Sequence, residues 1–225
     1  MNRKLFISAV LALTLFRLWL AFQGYSGDVN NHISWGKSGS NNGFYGIYER
    51  NYPGTMRPTY PPPSVYLFTF EYSLFQAVQK TSIWLNQNFR QFPSPVIWFL
   101  ERPQALPAFL KFQSIAADLL LALVLKQIVS LLTKNKQLPY IIFFSWYANP
   151  AVIHNSTYWG QVDGLPLLFV FASVYFLLRK KLYPAHFLFV LSLLTKQTAL
   201  VFLPIFLIWS NISFGLVKTI KGIVL

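Results

Sequence analysis

Only three aspartates occur in the 225 residues, and two of them stand among Trp, Tyr, Asn and Gln at the ends of apolar runs. Asp28 lies in Gly27-Asp28-Val29-Asn30-Asn31-His32-Ile33-Ser34-Trp35, after the first run. A carboxylate within hydrogen-bond reach of a hydroxyl can take its proton as that oxygen attacks. An aromatic neighbour such as Trp35 offers a face for sugar C–H surfaces. The same residue types also make an ordinary capping aspartate in an interfacial aromatic belt. Asp163 closes a second cluster, Asn155-Ser156-Thr157-Tyr158-Trp159-Gly160-Gln161-Val162-Asp163. If its end is helical, Trp159 and Asp163 share a face at i and i+4. Asn155, Trp159, Gln161 and Asp163 bring enough polar tips to line a substrate or to build a structural polar network.

Two cationic positions extend the chemistry. Lys196, in Thr195-Lys196-Gln197-Thr198, separates two apolar runs. It can snorkel to an interface or neutralise a phosphate recessed below the surface, with Gln197 beside it. Arg57, three residues before Tyr60, is a second candidate phosphate contact. Tyr60-Pro61-Pro62-Pro63 is a stiff start to a helix, because proline fixes φ and suits a first turn. Asp118 differs from the other two aspartates. It falls about 16 Å into the apolar run that begins at Pro107, counting 1.5 Å per residue. Lys111, seven residues earlier, projects from the same helical face. An intramembrane aspartate faces the interior with a partner, as a buried hydrogen-bonding group or as a proton relay.

The chain that must position these groups is a membrane protein. Hydrophobic residues are 54% and charged residues 11% of it, against about 25% charged in soluble domains. The net charge of +13 does not imply nucleic acid, because the basic residues gather at the ends of apolar spans rather than on one amphipathic face. Arg3-Lys4, Lys134-Asn135-Lys136, Arg179-Lys180-Lys181 and Lys218 with Lys221 read as cytoplasmic anchors. Between them the chain crosses in pairs, with Leu138 to Ile153 out and Leu165 to Leu178 back, then Leu182 to Leu194 out and Thr198 to Leu216 back. Leu5 to Phe22 crosses first, and Ala108 to Leu132 returns. Some runs fall short of the ~20 residues that span a bilayer, so their polar ends are recessed into protein. This arrangement puts Asp28, Asp163 and Lys196 on the extracytoplasmic side.

The expectation is therefore an all-α, polytopic bundle of about six spans. Its long first external segment, about 24–106, carries interfacial or re-entrant helices, Val65 to Val78 among them. Residues 1–225 form one membrane domain, without internal repeat or linker. Cysteine is absent, which excludes disulfides and thiolate metal sites. The three histidines lack ligand spacing, so no metal is expected. No glycine-rich nucleotide loop follows a strand, and no cofactor is called for.

Taken in order, these pieces resemble the membrane-embedded glycosyltransferases of the C superfamily, which use polyprenyl-phosphate sugars. The matching segments are Gly27-Asp28 … Trp35, Tyr60-Pro61-Pro62, Ala117-Asp118-Leu119-Leu120, Asn149-Pro150 … Trp159-Gly160-Gln161-Val162-Asp163, and Leu194-Thr195-Lys196-Gln197 … Leu203-Pro204. The chain is most similar to bacterial relatives of the GPI-anchor mannosyltransferases. The resemblance implies Asp28 as catalytic base in the first external loop. It also implies an outer-face cavity lined by the Trp159–Asp163 loop and by Lys196-Gln197, with Tyr-Pro-Pro shaping the loop. The implied donor is a polyprenyl-phosphate hexose, and the implied acceptor is a glycan or lipid. The implied location is a bacterial cell membrane, with the site at the extracytoplasmic face. Relatives often carry an acid before Tyr-Pro-Pro, where this chain has Thr59, and they are longer, so the chain reads as the N-terminal part of a larger enzyme. A transporter or flippase of an anionic lipid or sugar phosphate is the alternative. The same lysine, buried aspartate and aromatic cavity would serve it, although it lacks the internal repeat of many transporters.

Overall fold

The computed structural model describes residues 2–224, and among them no strand is present. Helix α1 (Arg3–Ala21) is capped by the Asn2 side chain, which accepts from the Lys4 amide. Next come α2 (Gly27–Asn42), capped by Ser26, and α3 (Pro62–Asn88), whose first turn opens on prolines. The short α4 (Ser94–Leu100) leads into α5 (Ala105–Leu132), the longest helix. Helix α6 (Leu138–Tyr147) breaks at Asn149-Pro150, where the Asn149 side chain caps the single turn α7 (Pro150–Ile153). A π-helical stretch, His154–Trp159, follows. Helices α8 (Gly164–Leu178) and α9 (Leu182–Thr195) form a hairpin. A 3₁₀ stretch (Gln197–Phe202) runs into α10 (Leu203–Phe214), and α11 (Leu216–Val224) ends the described chain.

Helix α5 is the axis, packing against α1, α3, α6 and α8. Its Ala122 meets Phe143 and Tyr147 of α6, while Leu121 meets Leu168 of α8. The α8–α9 pair closes on α10 through Phe189 and Phe206, whose rings stack at 4.0 Å. Much of the outside is as apolar as the inside. Leu5, Leu11, Leu15 and Trp19 of α1 are exposed, as are Ile205, Ile208 and Ile212 of α10. Patches this continuous are costly in water and mark a surface that faces another apolar medium. Three units, α1, α5 and Gln197–Phe214, are long and apolar enough to cross a membrane, and α8 and α9 are shorter apolar helices. The chain is a helical membrane protein. The six expected crossings correspond to α1, α5, α6 with α7, α8, α9 and the 3₁₀–α10 unit. Three of them fall short of full length: α6 breaks at Asn149-Pro150, and α8 and α9 are continuous helices of 15 and 14 residues.

The segment from 24 to 104 lies at one end of the bundle. Ser64, at the start of α3, donates to the Thr195 carbonyl at the end of α9 (2.6 Å). At the other end of α3, Asn86 bonds Ser94 of α4, and Phe99 of α4 packs on Phe22 at the end of α1. Both ends of α3 thus belong to the same side, and the Val65 to Val78 run does not cross. Halfway along, the buried Glu71 accepts from the Gln113 amide at 3.0 Å. Desolvation by burial pushes the Glu71 carboxyl up to about 9. At neutral pH it is a carboxylic acid within this packing, not a charge.

Candidate functional site

Two buried cations set the frame. Arg17, one turn before the end of α1, is fully buried and donates to Asp118 Oδ2 at 2.8 Å and to the Tyr147 carbonyl at 3.0 Å. Its guanidinium also lies 4.3 Å from the centre of the Tyr147 ring. Asp118 Oδ2 accepts a second bond from Ser156 Oγ at 2.6 Å. The intramembrane aspartate therefore has a partner, but it is Arg17 and not Lys111, which shares its helix face. Lys111 Nζ turns away from Asp118. It donates to three backbone carbonyls, of Ala21, Gly24 and Tyr158. An ammonium has three N–H donors and no acceptor, so this set saturates it. The two cations tie the end of α1 to the π-helical stretch that carries Trp159.

A third clasp completes the joint. Ser26 accepts from the Asp28 amide as the α2 cap, and its hydroxyl donates to the Trp159 carbonyl at 2.7 Å. The turn after Trp159 passes through Gly160 at φ 89°, where a Cβ would overlap Val29. Only glycine takes that conformation and that proximity without strain. The π-helical winding, a form that recurs at functional sites, delivers Trp159 over the start of α2.

Asp28 sits where these parts meet. Its Oδ2 accepts from Trp159 Nε1 at 2.8 Å and from Gln161 Nε2 at 2.7 Å. Among the described residues Oδ1 takes no hydrogen bond. One oxygen is thus fixed by two donors while the other keeps its lone pairs. The Gln161 carbonyl oxygen extends the network to the Tyr60 hydroxyl and Lys196 Nζ, both at 3.4 Å. Lys196 is held more firmly by Asp163 Oδ1 at 2.5 Å and lies 5.1 Å from the Tyr60 ring centre. Burial works against its charge, but the hydrogen bond and charge of Asp163, with Tyr60, hold its pKa above the usual lysine value. Asn155 donates to Asp163 Oδ2 at 3.2 Å. The groove is open, with Trp159 45% exposed and the Asp163 side chain 41% exposed.

Seven of the ten sequence-predicted site residues therefore join one network: Asp28, Tyr60, Asn155, Trp159, Gln161, Asp163 and Lys196. Trp35 stands behind it, 2% exposed, its indole N–H donating to the Met56 carbonyl at 2.6 Å. It packs edge-on against Tyr60 at 5.6 Å. It walls the site and presents no open face. Arg57 and Gln197 are exposed, and their side chains make no hydrogen bond or ion pair among the described residues, so neither is drawn into the network. His32, one turn after Asp28, joins Trp35 and Tyr60 and stacks on Phe68 at 4.2 Å. Burial, opposed by Asp28 and reinforced by Lys196, lowers its pKa to about 4. It is a neutral ring at physiological pH. Among the described residues no three His, Cys, Asp or Glu side chains gather as a metal site requires.

Comparison with protein-family models, with curated proteins and with solved structures finds no match to this chain.

Proposed function

We propose that the chain carries the acceptor-activating site of a polyprenyl-phosphate-sugar-dependent hexosyltransferase, facing the extracytoplasmic side of its membrane. The observation that supports this reading is the Asp28 carboxylate. Trp159 and Gln161 orient it through one oxygen, its second oxygen is unengaged, and it stands one side chain from a lysine. In this mechanism Oδ1 of Asp28 accepts the proton of an acceptor hydroxyl. The acceptor oxygen forms its bond to the anomeric carbon from the face opposite the phosphate. The carbon–oxygen bond to phosphate breaks, and the phosphate leaves with the electron pair and inversion of configuration. A phosphate leaving group needs its charge stabilised rather than a strong acid.

Lys196 supplies that charge from within an ion pair with Asp163. Asp163 engages it at 2.5 Å, whereas Gln161 approaches at 3.4 Å, a length at which a hydrogen bond is weak. The ammonium therefore retains donors for a phosphate oxygen beside Asp163. Trp159, half exposed next to the carboxylate, offers the sugar a ring face.

The test is incubation of membranes containing the chain with labelled polyprenyl-phosphate mannose and polyprenyl-phosphate glucose and a lipid-linked glycan acceptor. The reading expects a glycosylated product and release of polyprenyl phosphate. With Lys196→Gln, transfer should fall about 30- to 1,000-fold, and Lys196→Arg should retain part of it. Transfer unchanged in Lys196→Gln would remove the lysine from the phosphate site.

A further inference from the structure

The opposite end of the bundle carries chemistry that the transfer reaction does not use. All six acidic residues lie elsewhere: Asp28, Glu49, Glu71, Glu101 and Asp163 with the site-end segments, and Asp118 inside the bundle. Between the end of α5 and the start of α6, Lys126, Ser130, Lys134, Asn135, Lys136 and Tyr140 line a hollow of about 410 Å³. None of its three lysines forms an ion pair among the described residues.

The floor of the hollow and the backbone of its loop are held in place, while Lys134 and Lys136 are exposed at its mouth. Lys126 Nζ is held 4.9 Å from the Tyr140 ring centre and 5.5 Å from that of Phe6, within the range of cation–π attraction. The connecting loop is fixed by its own side chains. Thr133 Oγ1 accepts from the Asn135 amide, and Asn135 Oδ1 accepts from the Gln137 amide at 2.8 Å. These turns set Lys134 and Lys136 on either side of Asn135, at the rim.

Tyr140 also borders a second hollow. Gln137, Tyr140, Ile141, Phe144 and Ser145 line a groove of about 620 Å³ that runs along α6 away from the loop. Ile141 and Ser145 lie one turn apart on its outer face, and Ile141 is 55% exposed. A trivalent cationic hollow thus continues, across one tyrosine, into an apolar channel on a membrane-facing helix.

We propose that this pair of hollows binds one anionic phospholipid, with its headgroup phosphate among Lys126, Lys134 and Lys136 and an acyl chain along Ile141 and Phe144. The three unneutralised lysines select negative charge, and the groove selects a chain attached to it. Basic hollows between membrane helices hold anionic headgroups by the same electrostatics. The site lies at the end of the molecule remote from Asp28 and does not depend on the transferase reading.

The experiment is native mass spectrometry of the full chain released from detergent. The probes are dioleoyl phosphatidylglycerol, dioleoyl phosphatidylcholine and glycerophosphoglycerol, which has the headgroup and no chains. The expected result is retention of one phosphatidylglycerol with at least tenfold preference over phosphatidylcholine, and much weaker retention of glycerophosphoglycerol. Each lysine near the surface contributes about fivefold, so the triple variant Lys126→Gln/Lys134→Gln/Lys136→Gln should lose about 100-fold. The triple Arg variant should retain the lipid. A second basic hollow, lined by Lys180, Lys181, Lys218 and Lys221, lies between α9 and α11, and the quadruple Gln variant of those lysines should still prefer phosphatidylglycerol as the wild type does; loss of that preference there would also overturn the proposal. Equal retention of the two phospholipids, or undiminished binding in the triple Gln variant, would overturn the proposal. So would glycerophosphoglycerol binding as tightly as the intact lipid.

Discussion

Replacing Asp118 by Asn should destabilise the bundle more than almost any other single change of similar size. The substitution preserves volume and one acceptor but removes the charge opposite Arg17, which is fully buried. The carboxylate oxygen that loses its charge serves both Arg17 at 2.8 Å and Ser156 at 2.6 Å. Breaking a buried ion pair by removing one partner costs about 3–5 kcal/mol, because the remaining charge stays desolvated. At about 2–4 °C per kcal/mol for a chain of this size, Tm falls by roughly 6–20 °C. Removing both charges is a different perturbation. Arg17→Met with Asp118→Leu replaces the pair by apolar groups of similar volume, which is often neutral or stabilising. The double variant should recover most of the loss seen in Asp118→Asn. Thermal unfolding of the purified protein in detergent, followed by circular dichroism, reads both. A Tm for Asp118→Asn within about 1 °C of wild type would refute the reasoning, as would a double variant less stable than the sum of its singles.

Lys111→Met removes the donor to three carbonyls and leaves them buried, so it should cost about 2–4 kcal/mol and loosen the Trp159 segment. Hydrogen exchange over residues 154–161 should rise in that variant and not in Lys126→Met. Glu71 gives a pH dependence of known sign. Its folded pKa of about 9 exceeds the unfolded value of 4.5, so the unfolded state binds fewer protons between these values. Stability therefore falls as pH rises through that window. Glu71→Gln should flatten the decline and raise Tm at pH 8, and a wild-type Tm that is level from pH 5 to 8 would contradict it. For topology, a cysteine replacing Tyr45, 97% exposed at the site end, should react with an impermeant thiol reagent outside the cell. One replacing Asn135 should not, and the reverse pattern would invert the proposed orientation.

The residues of the groove were legible in the sequence for a physical reason. In a chain with 11% charged residues, a polar side chain at the end of an apolar run must have a use, and Asp28, Gln161, Asp163 and Lys196 all met in one network. Their supports were not legible. Arg17 and Asp118 lie 101 residues apart, and nothing local distinguishes Arg17 from a residue that merely interrupts a span. Helical periodicity makes Lys111 the companion of Asp118, yet its acceptors are backbone carbonyls, which have no sequence signature. His32 gave no signal as a lone histidine, because its setting comes from Phe68 and Tyr60 of a later segment. Arg57 follows from charge and position alone and Gln197 from the family resemblance, and neither side chain is carried into the groove. Length alone does not place α3, because an apolar run of its size fits a crossing or an interfacial helix equally well. The contacts at its two ends decide it.

Asp28→Asn tests the central claim most directly. The amide keeps the size of the side chain and can still accept from Trp159 and Gln161, but it cannot take a proton from an acceptor hydroxyl at neutral pH. Single-turnover transfer from a labelled polyprenyl-phosphate hexose should be measured for wild type and for this variant. The account predicts a fall of about 10²–10⁴-fold, the contribution of general-base catalysis, with donor binding and Tm unchanged. Transfer by Asp28→Asn at close to the wild-type rate, with Asp163→Asn inactive, would contradict the account and move the base to the Trp159–Asp163 loop.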